Sequence, residues 1–221
     1  MPKLQTVPGT CVDVQFLVQG MLENNVYLIS DGVGTMVVDP SANAGEIVEA
    51  LGGRTLDAIL LTHRHFDHVG AAAALREATG ATVIASAEDA PVICGEAPVP
   101  EDSRTFTPCP VDCTVGDGVI AQVGNMGWKV LVTPGHTKGG LCWFLVPQFG
   151  NHADGAPVLI SGDTLFAGTV GRTDFPGGSD ADMHASMRRL AFLPDETIVL
   201  PGHGPTTTIG AERQRTFARW A

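Results

Sequence analysis

The chain has 221 residues, of which 44% are hydrophobic and 17% charged, so it can bury a sizeable core and is not intrinsically disordered. Thirteen basic residues against 24 acidic ones leave a formal charge of −11, which repels a phosphate backbone and argues against nucleic acid as a partner. The longest strictly apolar run, Leu141–Val146, is six residues long and far too short to span a bilayer.

Alternating and β-branched patterns predict strands at Val12–Gln19, Asn25–Ser30 and Thr35–Asp39, separated by turn residues such as Asp31-Gly32. A short helix over Ala44–Leu51 leads into a strand at Leu56–Leu61. An Ala-rich helix follows over Gly70–Thr79, then a strand at Thr82–Ala85. From Glu88 to Thr114 the pattern dissolves into Pro- and Cys-containing loop with room for one short helix. Strand signals return at Gly118–Val123, Trp128–Val132, Leu141–Val146 and Val158–Ser161. Over Asp180–Leu190, Met183, Met187 and Leu190 share one helical face, with acids at the start and Arg188-Arg189 at the end. A strand at Thr197–Leu200 and an amphipathic helix from about Ile209 close the chain. Strands alternating with helices in both halves predict a layered α/β architecture, read as a single domain over 1–221.

The chemistry lies at the ends of these strands. His63-Arg64-His65-Phe66-Asp67-His68 follows the strand Leu56–Leu61 directly. His136 follows Trp128–Val132 in Pro134-Gly135-His136, Asp163 follows Val158–Ser161, and His203 follows Thr197–Leu200 in Pro201-Gly202-His203. Imidazole and carboxylate are the ligands that ions such as zinc accept. One histidine at a strand end is usually structural, but four strand ends that each present a ligand type are not a coincidence. Five histidines and two aspartates suffice for two metal ions sharing a carboxylate.

This set, His63-x-His65-x-Asp67-His68 with His136, Asp163 and His203 in that order, resembles the metallo-β-lactamase superfamily. The resemblance covers nearly the whole chain and implies a four-layer αββα sandwich with the metals at one edge of the sheets. It implies His63, His65 and His136 on a first ion, Asp67, His68 and His203 on a second, and Asp163 between them. Gly162-Asp163-Thr164-Leu165-Phe166, Gly171-Arg172-Thr173-Asp174-Phe175-Pro176-Gly177-Gly178, Pro201-Gly202-His203-Gly204-Pro205, Thr207-Thr208-Ile209-Gly210 and Glu212-Arg213 narrow it to short glyoxalase II-like hydrolases. Those enzymes cleave thioesters of the S-lactoylglutathione type. The longer members carry a helical domain after the last metal histidine. Here 18 residues follow His203, so a short member without that domain is expected.

The resemblance implies two divalent ions, zinc, iron or a mixture, with a hydroxide between them attacking the thioester carbonyl. Asp67 is then both ligand and orienting group. Arg172 is a candidate for meeting a substrate carboxylate, with a surface pair to Asp174 as the competing reading. Persulfide dioxygenases share the scaffold with a single iron, and lactonases and phosphodiesterases are further alternatives. A non-catalytic module is expected to have lost ligands, and none is missing. His152 and His184 read as surface or rim residues, and Tyr27 as core. Cys94, Cys109 and Cys113 crowd together without a convincing fourth zinc ligand. Five cysteines, an odd number, and the lack of a leader-like apolar segment after Lys3 predict reduced thiols and a cytoplasmic address. The expected partner is a small-molecule thioester, with neither nucleic acid nor membrane involved.

Overall fold

The computed structural model describes residues 3–100 and 103–221. Seven strands form a first sheet in sequence order: β1 (Gln5–Val7), β2 (Asp13–Gln19), β3 (Asn24–Ser30), β4 (Thr35–Val38), β5 (Ala58–Leu60), β6 (Thr82–Ser86) and β7 (Cys113–Val115). The second sheet starts from β8 (Ile120–Val123), β9 (Met126–Val132), β10 (Leu141–Leu145) and β11 (Val158–Gly162). A small hairpin follows, β12 (Leu165–Phe166) with β13 (Thr169–Val170). The second sheet then resumes with β14 (Ile198–Pro201) and β15 (Thr207–Thr208), in the order β15-β14-β11-β10-β9-β8.

Three apolar clusters glue four layers together. The central one lies between the sheets and contains Tyr27, Met36, Trp128, Trp143 and Ile160. Burying a large aromatic removes roughly 150–250 Å² from water, worth about 4–6 kcal/mol at ~25 cal/mol per Å². The outer face of the first sheet packs on α1 (Ala44–Leu51), α2 (Phe66–Val69), α3 (Ala72–Thr79) and α4 (Ala90–Ile93), through residues such as Ile47, Leu75 and Ile93. The outer face of the second sheet packs on α5 (Asp180–Leu190), α6 (Ile209–Glu212) and α7 (Ala218–Trp220), through Met183, Met187, Leu190, Ile209 and Phe217. The expected four-layer αββα sandwich is therefore present. No helix among the described residues is long and apolar enough to cross a membrane.

Strand direction positions the site. β4 and β5 run parallel, as do β11 and β14. β9 and β11 are both antiparallel to β10 between them, so they also point the same way. The ends of these strands emerge along one edge, where the Leu141 amide donates to the Thr62 carbonyl at 2.9 Å and ties the sheets together.

Several local expectations need correction. The helix expected over Gly70–Thr79 is present as α3, and a further short helix, α2, lies inside the histidine–aspartate motif. His65 caps α2, with the amides of His68 and Val69 donating to its carbonyl, so Asp67 and His68 sit on a helical turn rather than a loop. The turn stops because the Ala71 amide donates to Pro40 instead of to its own helix. The stretch Glu88–Thr114 holds α4 and also leads into β7, a short edge strand parallel to β6 whose mostly exposed residues give no alternation to read. The last helix is broken by a π turn over Arg213–Phe217.

That break surrounds a fully buried carboxylate. Glu212 accepts from the Gly168 amide at 2.9 Å, Thr207 Oγ1 at 2.7 Å and Thr216 Oγ1 at 2.7 Å, latching the C-terminal helices to the β12–β13 hairpin. Glu212→Ala leaves these donors unpaired and is expected to lower stability by roughly 2–4 kcal/mol in urea unfolding. A loss under about 0.5 kcal/mol, the size of an ordinary surface change, would show that the latch carries no stability.

Candidate metal centre

Two groups of side chains converge at the common edge. Ligand atoms of His63, His65 and His136 lie within 4.8 Å of one another, and so do those of Asp67, His68 and His203; His63, His68 and Asp163 form a third such group. The first group comes from the β5–α2 connection and the loop after β9. His65 Nδ1 lies 3.0 Å from His63 Nε2 and 2.9 Å from His136 Nε2. These separations are within about 0.5 Å of the edge of a tetrahedral site with zinc–nitrogen bonds of ~2.05 Å.

In the second group His203 Nε2 is 3.1 Å from Asp67 Oδ2, and His68 Nε2 is 3.6 Å from the same oxygen. Asp163 stands between the groups, with Oδ2 3.5 Å from His136 Nε2 and 3.7 Å from His203 Nε2, and Oδ1 3.3 Å from His68 Nε2. All seven residues singled out as metal ligands are thus brought together.

The donor set suits a cation. A carbonyl can only accept, so the 2.7 Å bond from His136 Nδ1 to Arg172 O puts the proton on Nδ1 and leaves the Nε2 lone pair facing the site. His68 Nδ1 likewise donates to Asp39 Oδ2 at 2.8 Å. Among the described residues, His68 Nε2 and Asp163 Oδ1 are buried without a hydrogen-bond partner. A metal ion at this point would satisfy both atoms.

Electrostatics agrees with the split into two groups. Burial, reinforced by the neighbouring imidazoles, pushes His63 well down and His65 down to about 3, so both are in the neutral, ligating form. Burial also disfavours charge on His68, yet the carboxylates of Asp163 and Asp39 raise its pKa well above the ordinary value. Those carboxylates favour any positive charge placed there. For Asp163 burial again opposes ionisation, but His68, His136 and His203 hold its carboxyl below the usual range.

Two glycines make the approach possible. A methyl group on Gly202 would stand 2.4 Å from Asp163 Oδ1 and 2.6 Å from His68 Cε1, so no larger residue fits beside the cluster. Gly135 holds a φ of 139° and would drive a side chain into Met183 of α5.

The supporting residues escape sequence reasoning. Asp39, with a φ of 49°, accepts from the Thr62 amide at 2.8 Å and Thr62 Oγ1 at 2.6 Å as well as from His68. Its signal was available, because an acid directly after a strand is the same cue that marks Asp163. Arg64 pairs with buried Asp89 at 2.8 Å and donates to the Pro176 carbonyl, pinning the ligand loop. Asn24 donates to the Asp67 carbonyl, and Asn25 and Tyr27 hold Pro201 at 3.0 and 2.8 Å. Core residue Tyr27 therefore also anchors the His203 loop.

The cluster floors a cleft of about 420 Å³ whose other lining includes Leu22, Phe66, Ser103, Arg104, Phe166, Arg172 and Phe175. Arg172 lines this cleft and carries the expected pair to Asp174 through two 2.7 Å bonds.

The sequence matches the family model of the metallo-β-lactamase superfamily over residues 20–203. The chain belongs to the metallo-β-lactamase superfamily. It is 30% identical to the hydroxyacylglutathione hydrolase GloC of Haemophilus influenzae, covering 92% of this chain and 96% of that one. Among solved structures, TTHA1623 in a di-iron-bound form is 35% identical, with a TM-score of 0.75 over 91% of this chain and 98% of that one. The B3 metallo-β-lactamase BLEG-1 superposes with the same TM-score at 29% identity, covering 96% and 97%.

The remaining histidines and the cysteines of this superfamily member lie away from the centre. His152 is exposed and bonded to Asp13 at 2.9 Å, while His184 donates to the Trp220 carbonyl and stacks on its ring. All five cysteines are free, and burial pushes Cys11, Cys109 and Cys142 up to about 11. Among the described residues, no cysteine joins a metal-binding group.

Proposed function

We propose that the protein is a metal-dependent hydrolase of small-molecule thioesters of the S-lactoylglutathione type. His63, His65 and His136 would hold one divalent ion and Asp67, His68 and His203 a second, with Asp163 available to both. Two divalent ions, zinc or iron, would supply a nucleophile from water at neutral pH and polarise the carbonyl. Asp39 and the Arg172 carbonyl keep His68 and His136 in the ligating tautomer. Asp67, its carbonyl held by Asn24, orients the attacking water through Oδ2.

One observation carries the thioester reading. Among the described residues lining the cleft, no side chain outside the histidine–aspartate cluster is an acid able to protonate a leaving group near pH 7. A thiol of pKa about 8.5 leaves as thiolate without one, whereas an amide nitrogen does not. The hydrolase name of the Haemophilus relative supports this choice, and the di-iron neighbour keeps iron beside zinc as the metal.

The test is a hydrolysis panel of thioesters, β-lactams, lactones and phosphodiesters, with oxygen uptake on glutathione persulfide in parallel, on protein of measured metal content. Turnover of S-lactoylglutathione is expected. Cleavage confined to another class, or oxygen uptake with one iron, would replace this reading. Arg172, an exposed arginine stacked 3.5 Å from the centre of the Phe175 ring, shapes the rim. Arg172→Ala is expected to raise KM roughly two- to fivefold at similar kcat, the signature of lost uniform binding. A kcat loss larger than the KM change would give Arg172 a part in the chemistry instead.

A further inference from the structure

Two arginines line the cleft, and their charges are handled differently. The guanidinium of Arg172 is met by both oxygens of Asp174, so its charge is matched within the protein. Arg104 reaches the same cleft from the segment between α4 and β7. Its Cζ stands 5.5 Å from the centre of the Phe66 ring, the residue between His65 and Asp67. Its Nη1 donates to Met21 Sδ, a weak acceptor, at 2.6 Å. Among the described residues, no carboxylate lies within ion-pair distance of it. A guanidinium carries five N–H donors in a fork that fits a carboxylate.

We propose that Arg104 is the specificity residue that recognises a carboxylate on the substrate. The cleft then prefers thioesters bearing a free carboxylate over neutral ones. This rests on the thioester reading. The scissile group sits at the cluster, the apolar part of the substrate lies along Leu22, Phe66 and Phe166, and the anion meets Arg104. The face of the Phe66 ring, 5.5 Å from Cζ, gives the cation a cation–π contact next to the His63–His68 segment. Arg104 is exposed, so the contact is modest and sensitive to salt.

The experiment compares wild type, Arg104→Ala, Arg104→Lys and Arg172→Ala, all metal-loaded. The carrier arm pairs S-lactoylglutathione with its diethyl ester. The acyl arm pairs S-succinyl with S-butyryl N-acetylcysteamine. In wild type one arm shows a kcat/KM preference for the anionic member of roughly three- to fivefold, which falls in 0.5 M salt. The arm that shows it identifies the source of the carboxylate. Arg104→Ala brings that preference to about one, Arg104→Lys keeps most of it, and Arg172→Ala raises KM for both members alike.

A second readout does not need turnover. Binding of S-methylglutathione, an unreactive thioether, is measured by calorimetry against its diethyl ester. Weaker binding of the anion to Arg104→Ala supports the anion site even if no thioester is hydrolysed, which would sink only the thioester reading. No difference between wild type and Arg104→Ala in both readouts overturns the proposal. So does loss of the preference in Arg172→Ala alone.

Discussion

Asp67→Asn is expected to lower kcat by at least about 100-fold while KM changes only a few-fold. The substitution preserves shape, and the backbone of the α2 turn stays held by Asn24 and by the amides bonded to His65. What disappears is the charge on the oxygen that lies 3.1 Å from His203 Nε2. If Asp67 were only a ligand, the variant would lose metal at the second set, and added metal would restore kcat. If Asp67 orients the nucleophile, kcat stays low at full occupancy. Kinetics combined with metal analysis of the same sample therefore separates the two roles. Near-normal kcat in a fully loaded variant would leave Asp67 with no catalytic part.

The second large effect concerns stoichiometry. Wild-type protein incubated with excess zinc or ferrous iron and then desalted is expected to retain two ions per chain. His136→Ala should empty the first set and His203→Ala the second, each leaving about one ion, because each removes one of three converging side chains. Wild type that stops at one equivalent would refute the two-ion assignment. Metal bound only by the folded state adds stability as RT ln(1 + [L]/Kd), about 2.7 kcal/mol at a hundredfold excess over Kd. A chelator should accordingly lower the Tm of wild type more than that of either variant.

The seven clustered residues were readable because each is a chemically distinctive residue placed directly after a strong strand pattern, as His136 is after β9 and His203 after β14. The strands themselves carry enough β-branched and aromatic residues to declare their period. What escaped is structure held by partners distant in sequence. The α2 turn is defined by Pro40 taking the Ala71 amide, and β7 by the backbone of β6. Asn24 and Asn25 look like turn residues until their bonds to Asp67 and Pro201 are seen. Glu212 and Arg104 differ from ordinary surface charges only through what surrounds them. One is enclosed by four donors, Arg215 among them, and the other lies over an aromatic ring at the mouth of the cleft.

The clasp between β3 and the Pro201–Gly204 loop has a bearing on how the protein is made. The three histidines of the first set exist once residue 136 has been synthesised, but the second set is incomplete until residue 203. At ordinary rates of synthesis those 67 residues take roughly 3–13 s. Through that interval Asn25 and Tyr27 wait for the Pro201 and Gly204 carbonyls that the ribosome has not yet produced. Under the two-ion proposal the second ion would consequently be taken up late, after β14 is seated beside β11, and a chain stalled before β14 could hold at most one.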